Sequence, residues 1–240
     1  MRINVHAGHN PDGKTACGAV GFIQESTEAR KVKNEVISQL RQLGHTVYDC
    51  TCENGTSKAD VLTKIVTLCN MRSVDLDVSI HFNAGAGDAK GNGKTTGTEV
   101  YIYSDSSKAQ SYAEKVGKAI ETLGFKNRGV KVNSSLYFLR KVKAPAMLVE
   151  CCFVDDKDDV ERYNYLDMAE AIVYGITGKK VEKQESTHDK DAEAENAETK
   201  TSDDKTIYRV QVGSYGVKAN AEVMQEKLKK AGFEAIIVKA

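Results

Sequence analysis

The stretch "ESTEARKVKNEVISQLRQLGHTVYDC", residues 25–50, decides the fold class. Ala29, Val32, Val36, Leu40 and Leu43 recur at helical spacing and predict a helix over 25–43. Gly44 ends it, because glycine accepts the positive φ of a helix C-terminus at little steric cost. The six residues that follow, "HTVYDC", read as a strand. A helix that turns on one glycine into a strand is the repeating unit of an α/β protein.

The same alternation continues on both sides. Upstream, "RINVH" (2–6) reads as the first strand. Downstream, Ser57 caps a helix reaching residue 72, with Val61, Leu62, Ile65, Leu68 and Cys69 on its apolar face. "LDVSIHF" (76–82) and "TEVYIYS" (98–104) are the third and fourth strands, and a helix over 106–123 stops at Gly124. "LYFLR" (136–140) and "AMLVECCF" (146–153) read as strands, and 166–176 as a closing helix. The pattern predicts an α/β fold over residues 1–178, with a mostly parallel sheet flanked by helices. Residues 179–205 hold almost no large apolar side chain and many charges, so they read as a charged flexible linker. Residues 206–240 regain a pattern. A strand (207–212) is followed by a helix (219–231) with Ala221, Met224, Leu228 and Ala231 on one stripe, then by Gly232 and a strand (233–238). That is a small β-α-β module.

Composition excludes several function classes. Among 240 residues, 34 Lys and Arg balance 34 Asp and Glu. A zero net charge argues against nucleic acid as a partner. No apolar run approaches the ~20 residues needed to span a bilayer, so no membrane partner is expected. Arg2 is not followed by an apolar stretch of about 7–15 residues, so no secretory signal is read and synthesis in the cytoplasm is expected. The six cysteines are Cys17, Cys50, Cys52, Cys69, Cys151 and Cys152. Their spacings do not match a zinc knuckle, and they read as reduced thiols, buried or half-buried. His188, inside the linker, reads as an exposed residue without a role.

Four residues carry chemistry. His9 follows a strand end and Gly8, Glu25 opens the first long helix, His81 lies near the end of "DVSIHFNA", and Glu150 ends "AMLVE". The carboxyl edge of an open α/β sheet is where sites form. Two histidines and a carboxylate suit zinc and leave a fourth position for water. A further carboxylate, Glu150, is then available to move the proton. His6 competes with His9, which is favoured because the preceding glycine permits a sharp exit from the strand. Glu28 competes with Glu25 one helical turn later. Residue types and spacing alone support a metallohydrolase and go no further.

The stretches "NVHAGHNPDG…GAVG", "QESTEARKV", "DLDVSIHFNA" and "PAMLVECCFVDD" resemble the zinc-dependent N-acetylmuramoyl-L-alanine amidases of the amidase-3 type, peptidoglycan hydrolases of bacterial cell-wall enzymes and phage endolysins. The four motifs occur in the family's order. The resemblance implies that His9, Glu25 and His81 hold Zn²⁺ and that Glu150 is the catalytic acid and base. It departs at His6, where the family usually has an acidic residue, and at Asn10, where it usually has glycine. It implies cleavage of the amide between N-acetylmuramic acid and L-alanine of the stem peptide by zinc-activated water. Asn83, beside His81, reads equally as a substrate-binding residue and as a strand-end turn residue. "GAGDAKGNGKTTG" (85–97) reads as a flexible polar loop at the same rim, a wall of the substrate groove or an inert surface.

The C-terminal stretches "YRVQVGSY" and "LKKAGFEAIIV", with Asn220-Ala221, are similar to one half of a SPOR domain, a binder of peptidoglycan glycan strands. Bacterial peptidoglycan is the expected partner, with a homodimer through the module as a further expectation. An enzyme released to the wall by phage lysis or mother-cell lysis fits these features, with a phage lysin of a Gram-positive host preferred. Two alternatives share the scaffold. A non-catalytic glycan-binding protein would be expected to have lost one of the four site residues. A zinc peptidase would commonly carry a His-Glu-x-x-His helix, which this chain lacks.

Overall fold

A computed structural model describes residues 1–181, together with Gln225, Lys229, Ile236 and Ile237. The chain divides into two compact units, Met1–Glu185 and Ser186–Ala240. The linker at 179–205 beyond Val181, His188, and the module at 206–240 apart from those four positions lie outside the described residues.

The first unit runs β1 (Arg2–Ala7), α1 (Glu25–Gln42), β2 (Thr46–Asp49), α2 (Lys58–Asn70), β3 (Leu76–Asn83), β4 (Thr98–Ile102), α3 (Gln110–Glu121), β5 (Asn127–Val132), α4 (Tyr137–Lys141), β6 (Ala146–Phe153), α5 (Lys157–Arg162) and α6 (Tyr165–Thr177). The strands form one sheet in the order β2-β1-β3-β6-β4-β5. All neighbours are parallel except β4 and β6. The expected α/β architecture with a mostly parallel sheet is therefore present, and a single antiparallel contact lies beside the strand that carries Glu150.

Alternation along the strands separates two cores. Ile3, Val5, Val78, Ile80, Val100, Ile102, Met147 and Val149 face one side, where they meet α1, α3 and α6. Val32, Val36 and Leu40 of α1 are fully buried there, and each contributes about 1.5–3 kcal/mol of burial. Ala146 and Leu148 face the other side, with Val61, Ile65, Phe138 and Leu139 of α2 and α4. On that second face the alternate residues of the central strands are polar: Asn4, His6, Asp77, Ser79, His81, Asn83 and Glu150.

Two caps act as the sequence indicates. Gly44 adopts φ +82°, and its N–H closes on Arg41 O at 2.9 Å. Ser57 Oγ accepts from Asp60 N at 3.2 Å. Cys50, Cys52, Cys69, Cys151 and Cys152 are buried, Cys17 is half-buried, and all six are free.

Two local readings change, and one strand has no reading in the sequence. "LYFLR" is helical, not a strand, because Phe138 and Leu139 must both enter the second core. "NRGVKV" is an edge strand with half-exposed side chains, so it offers no apolar periodicity to read. The helix expected from 106 begins at Gln110. Before it, Ser107 N bonds Ser104 O and Ala109 N bonds Ser107 Oγ, which makes a turn.

Candidate metal centre

Glu25 is the hub of the site. It is 3% exposed at the first turn of α1. Its Oε1 lies 3.0 Å from His81 Nδ1 and 3.1 Å from His9 Nε2, and accepts Phe82 N at 3.2 Å. Its Oε2 accepts Ala19 N at 2.7 Å. Burial alone would raise the Glu25 pKa. The hydrogen bonds with His81 and His9 override it and hold the carboxyl well below the usual range. Burial lowers the His81 pKa, with Glu25 offsetting part of the shift. The two rings meet edge to face, 4.9 Å between centroids. One donor atom from each of His9, Glu25 and His81 lies within 4.8 Å of the others. An ionised carboxylate converging with two imidazoles is a donor set that fits zinc.

Gly8 is required by space. A Cβ there would lie 1.8 Å from His81 Cε1 and 1.9 Å from Nε2. Its φ is not in the positive range, so close approach of the ring replaces the expected sharp exit from the strand as the reason for glycine.

The His9 loop is held by two residues that the sequence did not single out for this role. Arg30 of α1 donates to the carbonyls of His9 (2.8 Å), Cys52 (3.0 Å), Ser26 (3.1 Å) and Asn10 (3.3 Å). Asn10, fully buried, donates from Nδ2 to Thr15 O and Gly55 O, each at 2.7 Å, and accepts Gly55 N at 2.9 Å. A side chain at this position knits loops that glycine could not. A guanidinium five residues into an amphipathic helix gives no sequence signal of what it will clamp.

The competitors lie elsewhere. His6 is 1% exposed, packs edge to face on Phe138 at 4.7 Å, and leaves Nε2 without a hydrogen-bond partner among the described residues. Burial, reinforced by His81, pushes its pKa down to about 3. Glu28 bonds Lys31 at 2.8 Å and accepts Tyr163 OH at 3.1 Å, away from the two imidazoles.

Glu150 pairs with His81 in the parallel β3–β6 register. It does not end its strand, since β6 continues to Phe153. Its Oε2 is buried without a hydrogen-bond partner among the described residues. Burial, then the negative charges of Glu25 and Glu99, push its pKa well above the ordinary carboxyl value. Asn83 is occupied: its Nδ2 donates to Glu99 Oε1 at 2.7 Å and its Oδ1 accepts Ala84 N at 2.9 Å. Glu99 itself was not anticipated, because a lone glutamate in "TEVYI" reads as a solvent-facing strand residue.

The loop at 85–97 is tied down, contrary to the expected flexible segment. Asp155 accepts the N–H groups of Gly85, Ala86 and Gly87. Asp158 accepts those of Asn92 and Gly93, Asp156 that of Thr96, and Asp159 that of Gly97. Four aspartates at 155–159 thus hold the backbone of a loop that is rich in glycine.

Comparison with known proteins agrees with this fold. The family model described as N-acetylmuramoyl-L-alanine amidase matches residues 3–178. The SPOR domain model matches residues 183–239, starting inside the stretch read as a linker. An uncharacterized protein of Clostridium perfringens, CPE1502, is 40% identical over 167 residues, covering 68% of this chain and 47% of that protein. The N-acetylmuramoyl-L-alanine amidase CwlM of Bacillus licheniformis is 28% identical over 179 residues, 74% of this chain and 62% of CwlM. The chain thus spans about half the length of the first of these relatives. Among solved structures, the catalytic domain of the CD27L endolysin targeting Clostridia Difficile superposes with a TM-score of 0.66 at 28% identity, over 75% of this chain and 98% of that domain. The chain therefore belongs to the N-acetylmuramoyl-L-alanine amidase family and carries a SPOR domain match behind the amidase region.

Proposed function

We propose that the chain is a peptidoglycan hydrolase that cleaves the amide between N-acetylmuramic acid and L-alanine of the stem peptide. The observation that carries this reading is the convergence of His9 and His81 on one oxygen of Glu25, with Glu150 in register beside His81. His9, Glu25 and His81 would hold zinc, which when bound supplies Lewis acidity to the scissile carbonyl and acidity to a water. Glu150 takes the proton of the attacking water on its free Oε2 and passes it to the leaving amine. Its burial suits that task, because a raised pKa brings a carboxyl towards the working pH of a general acid and base. Gly8 and Arg30 keep the imidazoles in place. Asn83 orients Glu99 beside Glu150, and its amide is a substrate contact of lesser weight.

Peptidoglycan is the proposed partner of both units, and the cell wall the place of action. Among the described residues no helix is long and apolar enough to cross a membrane. Release by lysis of a host or mother cell brings the enzyme to its substrate. Pairing of two copies through residues 206–240 is proposed on the small size of the β-α-β unit read there. Light scattering of the full chain at high micromolar concentration tests the pairing, and a monomer refutes it.

The test of the reaction is digestion of purified walls with and without a chelator. New N-terminal L-alanine that disappears on chelation and returns with zinc supports the reading. New reducing sugar ends would make the protein a glycosidase instead.

A further inference from the structure

The pairing of β4 with β5 is irregular. Asn127 pairs with Thr98 and Val130 with Val100, so Arg128 and Gly129 together face Glu99. One extra residue on one strand is a β-bulge, which re-aims side chains. Gly129 takes φ +82°, and its N–H is held by Asn127 Oδ1 at 2.9 Å.

The bulge changes which side chains share a face. In a regular strand, residues three apart point to opposite faces. Here Arg128 and Lys131 both reach the same oxygen. Arg128 Nε donates to Glu99 Oε2 at 2.7 Å, and Lys131 Nζ bonds that oxygen too. The other oxygen, Oε1, accepts Asn83 Nδ2 and Tyr101 OH, each at 2.7 Å. Glu99 is 2% exposed, and its carboxylate is fully used by these four groups.

Two cations on one carboxylate leave a positive charge in excess. The terminal nitrogens of Arg128 make no hydrogen bond among the described residues, and its guanidinium lies over the Phe153 ring at 5.2 Å. Both side chains stay open, Arg128 at 31% and Lys131 at 37% exposure. A single cation balances the buried Glu99 carboxylate, so pairing alone does not account for a bulge that aims two cations at one oxygen. The anchor also fixes the location. Glu99 stands opposite Glu150, which places the basic pair two strands from the candidate acid/base, about 10 Å away. An extended peptide covers that in about three residues.

We propose that Arg128 and Lys131 form a binding site for a carboxylate of the stem peptide, on the leaving-group side of the scissile amide. The proposal rests on the reaction given above. The planar fork of arginine matches a carboxylate in two parallel hydrogen bonds, and Lys131 adds a point charge. Glu99, Asn83 and Tyr101 are positioning residues that hold the pair. The site selects substrates whose peptide carboxyl is free over those in which it is amidated.

The experiment compares muramoyl peptides that carry a free carboxyl with the same peptides carboxamidated. The wild type is expected to show a KM about tenfold lower for the acid form at similar kcat. Arg128→Gln and Lys131→Gln are each expected to raise KM for the acid about tenfold more than for the amide form. Arg128→Lys keeps a cation on Glu99 and restores part of the preference. Equal losses on both substrates, or no loss on either, overturn the site. Calorimetric titration of the same peptides reads binding apart from turnover. Tighter binding of the acid by a protein that cuts neither form keeps the site and removes the reaction. Equal binding of both forms removes the site.

Discussion

Glu150 on β6 and Glu99 on β4 stand directly opposite each other in the antiparallel register, yet their surroundings drive the two carboxyls apart. Burial works to raise the Glu99 pKa, but Lys131, Arg128 and Tyr101 override it and keep the group ionised. Glu150 has no such partners. Burial, Glu25 and Glu99 all favour its protonated form. Two carboxyl groups a strand apart whose pKa values are pushed in opposite directions are a pattern of acid–base sites.

Glu150→Gln is expected to lower kcat by ~10²–10⁴-fold, the range of a general acid–base group. Metal content should stay at the wild-type value and the thermal midpoint should not fall, since Glu150 Oε2 bonds nothing among the described residues. Turnover within about threefold of wild type would reduce Glu150 to a structural residue.

His9→Ala and His81→Ala should each lose bound zinc, while His6→Ala retains it. The geometry separates them: both ring nitrogens near Glu25 Oε1 belong to His9 and His81, and His6 packs on Phe138. Metal analysis of the three purified variants decides the matter. Full zinc occupancy in His81→Ala would refute the donor set.

Gly8→Ala should leave the fold intact and weaken the metal site. The new methyl would fall 1.8 Å from the His81 ring, so the imidazole must turn away from Glu25. A loss of zinc affinity of 10-fold or more is expected, on the order of the effects seen when a ligand's support is removed. A zinc titration that leaves affinity unchanged would show that the β1 exit can move instead.

Asp77→Asn should stabilise the protein at neutral pH. Asp77 is fully buried, and burial pushes its pKa up to about 6 against the hydrogen bonds from Asn4 and Cys69. The folded state binds this proton more tightly than the unfolded chain, whose value is 3.8. Its contribution is therefore greatest below about pH 4 and is lost as pH rises through about 6. The variant should exceed wild type by up to about 3 kcal/mol at pH 7, and the two should converge near pH 4. Denaturant midpoints at both pH values measure this. A constant difference between the curves would remove Asp77 from the account.

The sequence by itself determined the architecture and singled out the candidate site residues. Periodicity in 25–43 and 58–70, the glycine stop at Gly44, and the Ser57 cap are local signals, because helix geometry depends on neighbours three and four apart. The apolar strands around His81 and Glu150 are legible for the same reason, with a period of two. The motifs at 4–13, 24–32, 75–84 and 145–156 were enough to name His9, Glu25, His81 and Glu150 together as candidates. The tertiary structure alone decided everything that depends on pairing between distant segments. "LYFLR" became a helix because the adjacent Phe138 and Leu139 both had to enter the core that holds Leu148. "NRGVKV" became a strand because β4 offered it an edge, and its bulge brought Arg128 and Lys131 to one oxygen. Gly8 is glycine because a ring 73 positions later in the chain lies against it. Arg30 and Glu99 look like ordinary surface charges in the sequence, and only the approach of other strands and loops turned one into a clamp and the other into an anchor. Long-range register costs chain entropy and is set by the whole packed core, so no short window of residues can report it.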